Sequence, residues 1–171
     1  SVLKSTEQLS KKDNFLIDVQ AQLVNISSSF IDLQLLKKSI EVQIAKVFNF
    51  DKSVFNCVVR INAEIIQSFH QASKHKLLFC VIDEVRNGNP AESDFKGLRI
   101  VLNKKVVPSI LSNTNTRTIP HELGHILGWE HPHARGKFES INPDADKVFE
   151  QSMTEAERKN NLMSQTWYIQ T

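Results

Sequence analysis

Hydrophobic and polar positions alternate in "FLIDVQAQLV", residues 15–24. Ile17, Val19, Ala21 and Leu23 fall on one face, with Asp18, Gln20 and Gln22 on the other. A period of two predicts a half-buried strand. Three serines at 27–29 break the run, and Ser29 followed by Asp32 resembles a helix N-cap signature. Leu33, Leu36, Ile40, Ile44 and Val47 then recur at helical spacing, predicting an amphipathic helix over 30–48. A second alternating run spans 54–66, with Phe55, Cys57, Val59, Ile61, Ala63 and Ile65 in phase. The third, "LLFCVIDEV" at 77–85, is apolar almost throughout, as expected of a central strand covered on both faces.

The rest of the chain is less periodic. "RNGNPAESDFKG" (86–97) carries turn chemistry throughout, and "LRIVLN" (98–103) predicts a fourth short strand. Residues 1–14 are polar and aperiodic and read as a terminal arm. Residues 134–152 read as loop, and "TEAERKNN" (154–161) supplies a helical turn or two. The order strand, helix, three strands, helix predicts an α+β domain, a mixed sheet with helices packed on it.

Composition narrows the function classes. The 171 residues suit one domain, and a net charge of +2 from 21 basic and 19 acidic residues comes with no basic tract. That balance argues against a nucleic-acid partner. The apolar runs are too short to span a bilayer. Cys57 and Cys80 permit one bridge or two thiols, but no disulfide framework. The chain opens at Ser1 without a signal-peptide pattern, as a processed or trimmed protein would.

The chemistry is concentrated in "TIPHELGHILGWEHPH", residues 118–133, which holds four of the six histidines. His121 and His125 are four apart, so a helix stacks them on one face, where both imidazoles can reach a zinc ion. A catalytic zinc site needs a third protein ligand, and His131 lies too far along to share that face. Gly128 resolves this, because a glycine tolerates positive φ, ends the helix and turns the chain back so that His131 can return. Glu122 lies about 100° around the helix from His121, where a carboxylate can take a proton from zinc-activated water and return it to a leaving amine. Pro120, tolerated only in a first turn, predicts that the helix begins near 116–119. His121 then sits near the positive end of the helix dipole, which favours the neutral imidazole that binds metal.

"HELGHILGWEH" resembles the H-E-x-x-H-x-x-G-x-x-H signature of the metzincin zinc peptidases. Bare H-E-x-x-H arises by chance in roughly 2% of chains of this length, and the glycine and third histidine cut that by about 400-fold. "NNLMSQ" (160–165) resembles the family's methionine turn, with Met163 in place. The resemblance implies His121, His125 and His131 as ligands of one catalytic Zn2+, Glu122 as general base and acid, and Met163 as the floor of the site. It also implies a twisted mixed sheet of four to five strands on two main helices. An upper subdomain (15–128) would meet a small lower one (129–171) at the Gly128 pivot.

Pro132 after the third histidine is similar to the serralysin group, whereas Gln165 stands where that group carries tyrosine and Tyr168 comes three residues later. No cysteine motif like that of matrixin propeptides is present, and only eight residues follow Met163, as in a truncated chain or one with a small lower lobe. In the family's sheet the second and third strands flank the first, which would hold Cys57 and Cys80 too far apart to bridge. The substrate-pairing edge strand lies either within 86–97 or at 98–103.

The function so implied is a secreted or cell-surface, monomeric endopeptidase that binds an extended protein or peptide along a sheet edge. Alternatives are a catalytically silent, zinc-stabilised peptide-binding module, and a peptidase kept latent by its N-terminal segment. His133, His70 and His75 read as solvated histidines, and Asp144 and Asp146 as a solvated turn in preference to a calcium site. Trp129, Trp167 and Tyr168 suit a specificity pocket or lower-lobe core equally.

Overall fold

The structure, a computed structural model, describes residues 3–8, 15–48 and 57–128. Strand β1 (Leu3–Gln8) is followed by β2 (Phe15–Asn25), helix α1 (Leu33–Phe48), β3 (Cys57–Ile65) and β4 (Leu77–Ile82). Then come β5 (Ala91–Asp94), β6 (Arg99–Asn103), the short helix α2 (Val107–Leu111) and α3 (Thr118–Ile126). The fold is α+β with a mixed sheet.

Strand β2 is the spine. It pairs in parallel with β3 on one side and with β4 on the other; β4 pairs in parallel with β6, and β6 antiparallel with β5. Below β4, β1 pairs antiparallel with the first half of β2, so the segment read as an arm contributes a sixth strand. The side chains of β2 alternate as expected. Val19, Ala21 and Leu23 enter the main core with Val59, Ile61, Phe79, Val81, Ile100 and Leu102. Leu36, Ile40, Ile44 and Phe48 of α1 and Ile119, Leu123 and Ile126 of α3 cover them. Strand β4 is buried on both faces, because Leu78 and Cys80 join a second cluster with Val24 and Ile66. Its continuous apolar run has that origin.

Three readings are corrected. The cap of α1 is Asp32, not Ser29: the Asp32 carboxylate accepts the Leu35 N–H at 3.1 Å, and the helix starts at Leu33. The 86–97 segment is not all turn, since Ala91–Asp94 forms the antiparallel edge strand β5. Of the two positions left open for an edge, 86–97 holds it, and 99–103 is the strand inside it. Its sequence, Ala-Glu-Ser-Asp, lacks β-formers, so only pairing with β6 makes it a strand. Gln22, on the polar face of β2, is nonetheless buried, its amide accepting the Ser73 N–H at 2.7 Å.

Strand β2 separates β3 from β4, which places Cys57 and Cys80 on strands that are not neighbours. Cys80 is a buried free thiol, its pKa raised by burial against an opposing pull from the Arg99 charge. Among the described residues no helix is long and apolar enough to cross a membrane.

Candidate metal centre

Helix α3 neighbours both α1 and the edge strand β5. Its start agrees with the constraint from Pro120, which occupies the third helical position, inside the first turn. Ile119, Leu123 and Ile126 are fully buried in the core, and helical spacing puts His121 and His125 on the opposite side of the helix.

His121 and His125 meet as their spacing predicts. Their Nε2 atoms are 3.2 Å apart, with ring centroids at 4.8 Å and ring planes at 85°. Two nitrogens bound tetrahedrally to one zinc at about 2.0–2.1 Å would stand about 3.3–3.4 Å apart. The separation of the two Nε2 atoms is therefore close to the one that shared zinc ligation requires. His121 is 2% exposed and His125 half-buried. Glu122, one residue after the first histidine, is 5% exposed; a carboxylate so placed is withdrawn from bulk solvent.

Helix α3 ends as the glycine predicts. Ile126 is its last residue, and Gly128 follows with a φ of 92°, its N–H donating to the His125 carbonyl at 3.0 Å. That is the left-handed helix terminus that glycine favours, and it turns the chain immediately after the second histidine. His131, Met163, His133, Trp129, Trp167, Tyr168, Asp144 and Asp146 lie outside the described residues. Among the described residues no three metal-ligating side chains gather at one point. His70 and His75 are exposed.

Residues not singled out from sequence hold the helix in place. The Asn115 side-chain oxygen accepts the N–H groups of Arg117 at 3.2 Å and Thr118 at 3.1 Å. Its amide nitrogen donates to the Thr118 hydroxyl at 2.7 Å. Gln43, on the buried face of α1, donates to the carbonyls of Asn115 at 3.1 Å and Ile110 at 3.3 Å. All three polar side chains are at most 2% exposed. Gln43 carried a sequence signal, a polar residue on the apolar stripe beside Ile40 and Ile44; Asn115, inside "SNTNT", carried none. Arg117, beside the cap, has its pKa lowered by burial.

A second polar cluster lies at the carboxyl ends of the parallel strands. Asp83 accepts the backbone N–H of Ser28 at 2.8 Å and its hydroxyl at 2.7 Å, and pairs with Lys104 at 3.0 Å. These bonds, the Ser28 N–H foremost, hold the carboxyl pKa down at about 2. The cluster ties the loop before α1 to the ends of β4 and β6, a structural role.

Compared with known proteins, the chain matches no protein-family model and no curated protein.

Proposed function

We propose that the protein is a zinc-dependent endopeptidase of metzincin type, with His121, His125 and His131 as metal ligands and Glu122 as general base and acid. The observation that carries the reading is the convergence of the two Nε2 atoms at 3.2 Å on a helix that also bears the buried Glu122. The sheet order supports it, with β3 and β4 flanking β2 and an antiparallel edge strand beside the metal helix.

When bound, zinc supplies a Lewis acid that polarises a carbonyl and acidifies water. The chain's own residues supply the rest. Glu122 takes the proton from the attacking water and passes it to the departing amine, so one carboxyl serves both halves of the hydrolysis. Strand β5 orients the substrate. The Asn103 N–H donates to the Pro90 carbonyl at 2.8 Å, so in the antiparallel alternation Glu92 and Asp94 bond toward β6. Ala91 and Ser93 consequently turn their N–H and C=O groups away from β6, toward the margin that no strand occupies among the described residues and where an extended peptide would add one. Helix α3 runs beside this margin and would bring the scissile bond over Glu122. Gly128 and Met163 complete the site as the turn before the third ligand and the floor beneath it.

The test is incubation with an unfolded protein substrate. One zinc per chain, cleavage abolished by chelator and many turnovers per molecule are expected, with Glu122→Ala inactive but still binding zinc. Full activity in Glu122→Ala refutes the mechanism, and tight peptide binding without turnover identifies a binding module in place of an enzyme.

A further inference from the structure

We infer that Asn115, held by Gln43, is a positioning residue for the zinc site: it fixes where α3 begins, and so where His121 and His125 stand. The inference rests on the zinc reading above.

Helix α3 has nine residues, too few to be stable by itself. Its apolar face is well buried, but hydrophobic contact is non-directional and resists sliding or rotation weakly. Metal ligation and peptide attack require placement to within a fraction of an ångström. Some directional interaction has to supply that, and at the N-terminal end the buried amides do.

Most donors at the helix start find acceptors, while the Gln43 Oε1 has no hydrogen-bond partner among the described residues. A helix start leaves its first N–H groups without intrahelical acceptors. Of the N–H groups of Arg117, Thr118 and Ile119, the Asn115 oxygen takes the first two, and Pro120 has no N–H to place. The next N–H, that of His121, closes the first turn on the Arg117 carbonyl at 2.9 Å. The metal ligand thus stands one turn above the peptide that Asn115 caps. The cap is itself anchored: Gln43 grips the Asn115 carbonyl, and its second donated bond goes to Ile110 at the end of α2. One side chain of α1 therefore ties down both α2 and the start of α3, across 67 and 72 residues of chain. Apolar residues would fill these buried sites without the need for partners. A connected polar relay in a core, by contrast, specifies one geometry.

The experiment compares wild type, Asn115→Ala, Asn115→Asp and Gln43→Met, with Ile61→Ala on the distant strand β3 as a control for lost stability. Zinc affinity is read by competition with a chromophoric chelator, and ligand geometry from the visible bands of the cobalt-loaded protein, at a temperature where circular dichroism shows each variant folded. Asn115→Ala is expected to weaken zinc binding roughly 10–100-fold, the range for outer-shell supports, and to alter the cobalt bands. Asn115→Asp should return both to near wild type, because its carboxylate accepts the same two N–H groups and the Thr118 hydroxyl can donate to the other oxygen. Gln43→Met should move both in the same direction as Asn115→Ala, and it carries the test if that variant does not fold.

Wild-type affinity and bands in both Asn115→Ala and Gln43→Met overturn the inference and leave the zinc reading intact. An equal loss in Ile61→Ala also overturns it, because stability alone would then explain the effect. A wild-type protein that binds neither metal stoichiometrically overturns the zinc reading and this inference together.

Discussion

The turn at Gly128 makes a prediction that separates backbone conformation from packing. Its φ of 92° lies where residues with a side chain are strained, yet no described atom comes within 4 Å of where a Cβ would sit. The cost of Gly128→Ala should therefore come from the backbone alone. Holding an L-residue in the left-handed region costs about 1–2 kcal/mol, and alanine recovers roughly 0.4–1 kcal/mol by narrowing the unfolded ensemble. The net is a loss of about 1 kcal/mol, or a Tm about 2–4 °C lower for a chain of this size. Asparagine tolerates the region better and should cost less, whereas Gly128→Val, branched at Cβ, should cost more. Thermal melts of the three apo variants give the order Asn, Ala, Val. Zinc titration then adds the functional half. If the turn returns His131 to the metal, Gly128→Ala should lose more in affinity than its stability deficit implies. An alanine variant as stable as wild type, or one that loses more than about 4 kcal/mol, would refute the conformational account.

Other expectations follow from the same geometry. Zinc at a free concentration of 100 Kd should stabilise the protein by about 2.7 kcal/mol, and His121→Ala or His125→Ala should abolish most of that shift in a thermal melt. Asp83, whose pKa falls from 3.8 to about 2 on folding, stabilises the protein above pH 3.8, and its contribution is lost as pH falls toward 2. Asp83→Asn should accordingly flatten the acid limb of a urea-midpoint profile between those values. Ser93→Pro removes an N–H that faces away from β6, so kcat/KM should fall roughly 5–10-fold, about one hydrogen bond, while Tm changes little. Phe79, fully buried in the central strand, should cost about 3–5 kcal/mol on replacement by alanine, measured by chemical denaturation.

What could be read from the sequence was whatever is set by local spacing. His121 and His125 needed only the helical repeat to bring their nitrogens together, and Gly128 only the rule that left-handed termini favour glycine. Strands β2 and β3 and helix α1 announced themselves through apolar periodicity, and β4 through an unbroken apolar run. Strand β5 did not, because four residues with little strand propensity become a strand only when β6 is alongside. The same holds for Leu3–Gln8, whose pairing with β2 is a tertiary fact. Asn115 was hidden for a different reason. An asparagine in a polar loop looks the same whether it faces water or caps a buried helix, and only the position of Gln43, far away in sequence, tells the two apart.

The long reach of Gln43 has a consequence for the order in which the molecule assembles. Helix α1 and the strands around it precede α3, so during synthesis they emerge first and can collapse together. In that half-built state the Gln43 amide lies on an apolar surface, and the two carbonyls it needs have yet to arrive. Until residues 110–115 dock, water serves that amide, and docking exchanges the water for the two carbonyls. The same exchange seats the start of α3, so a chain that has completed its core has also placed its two histidines.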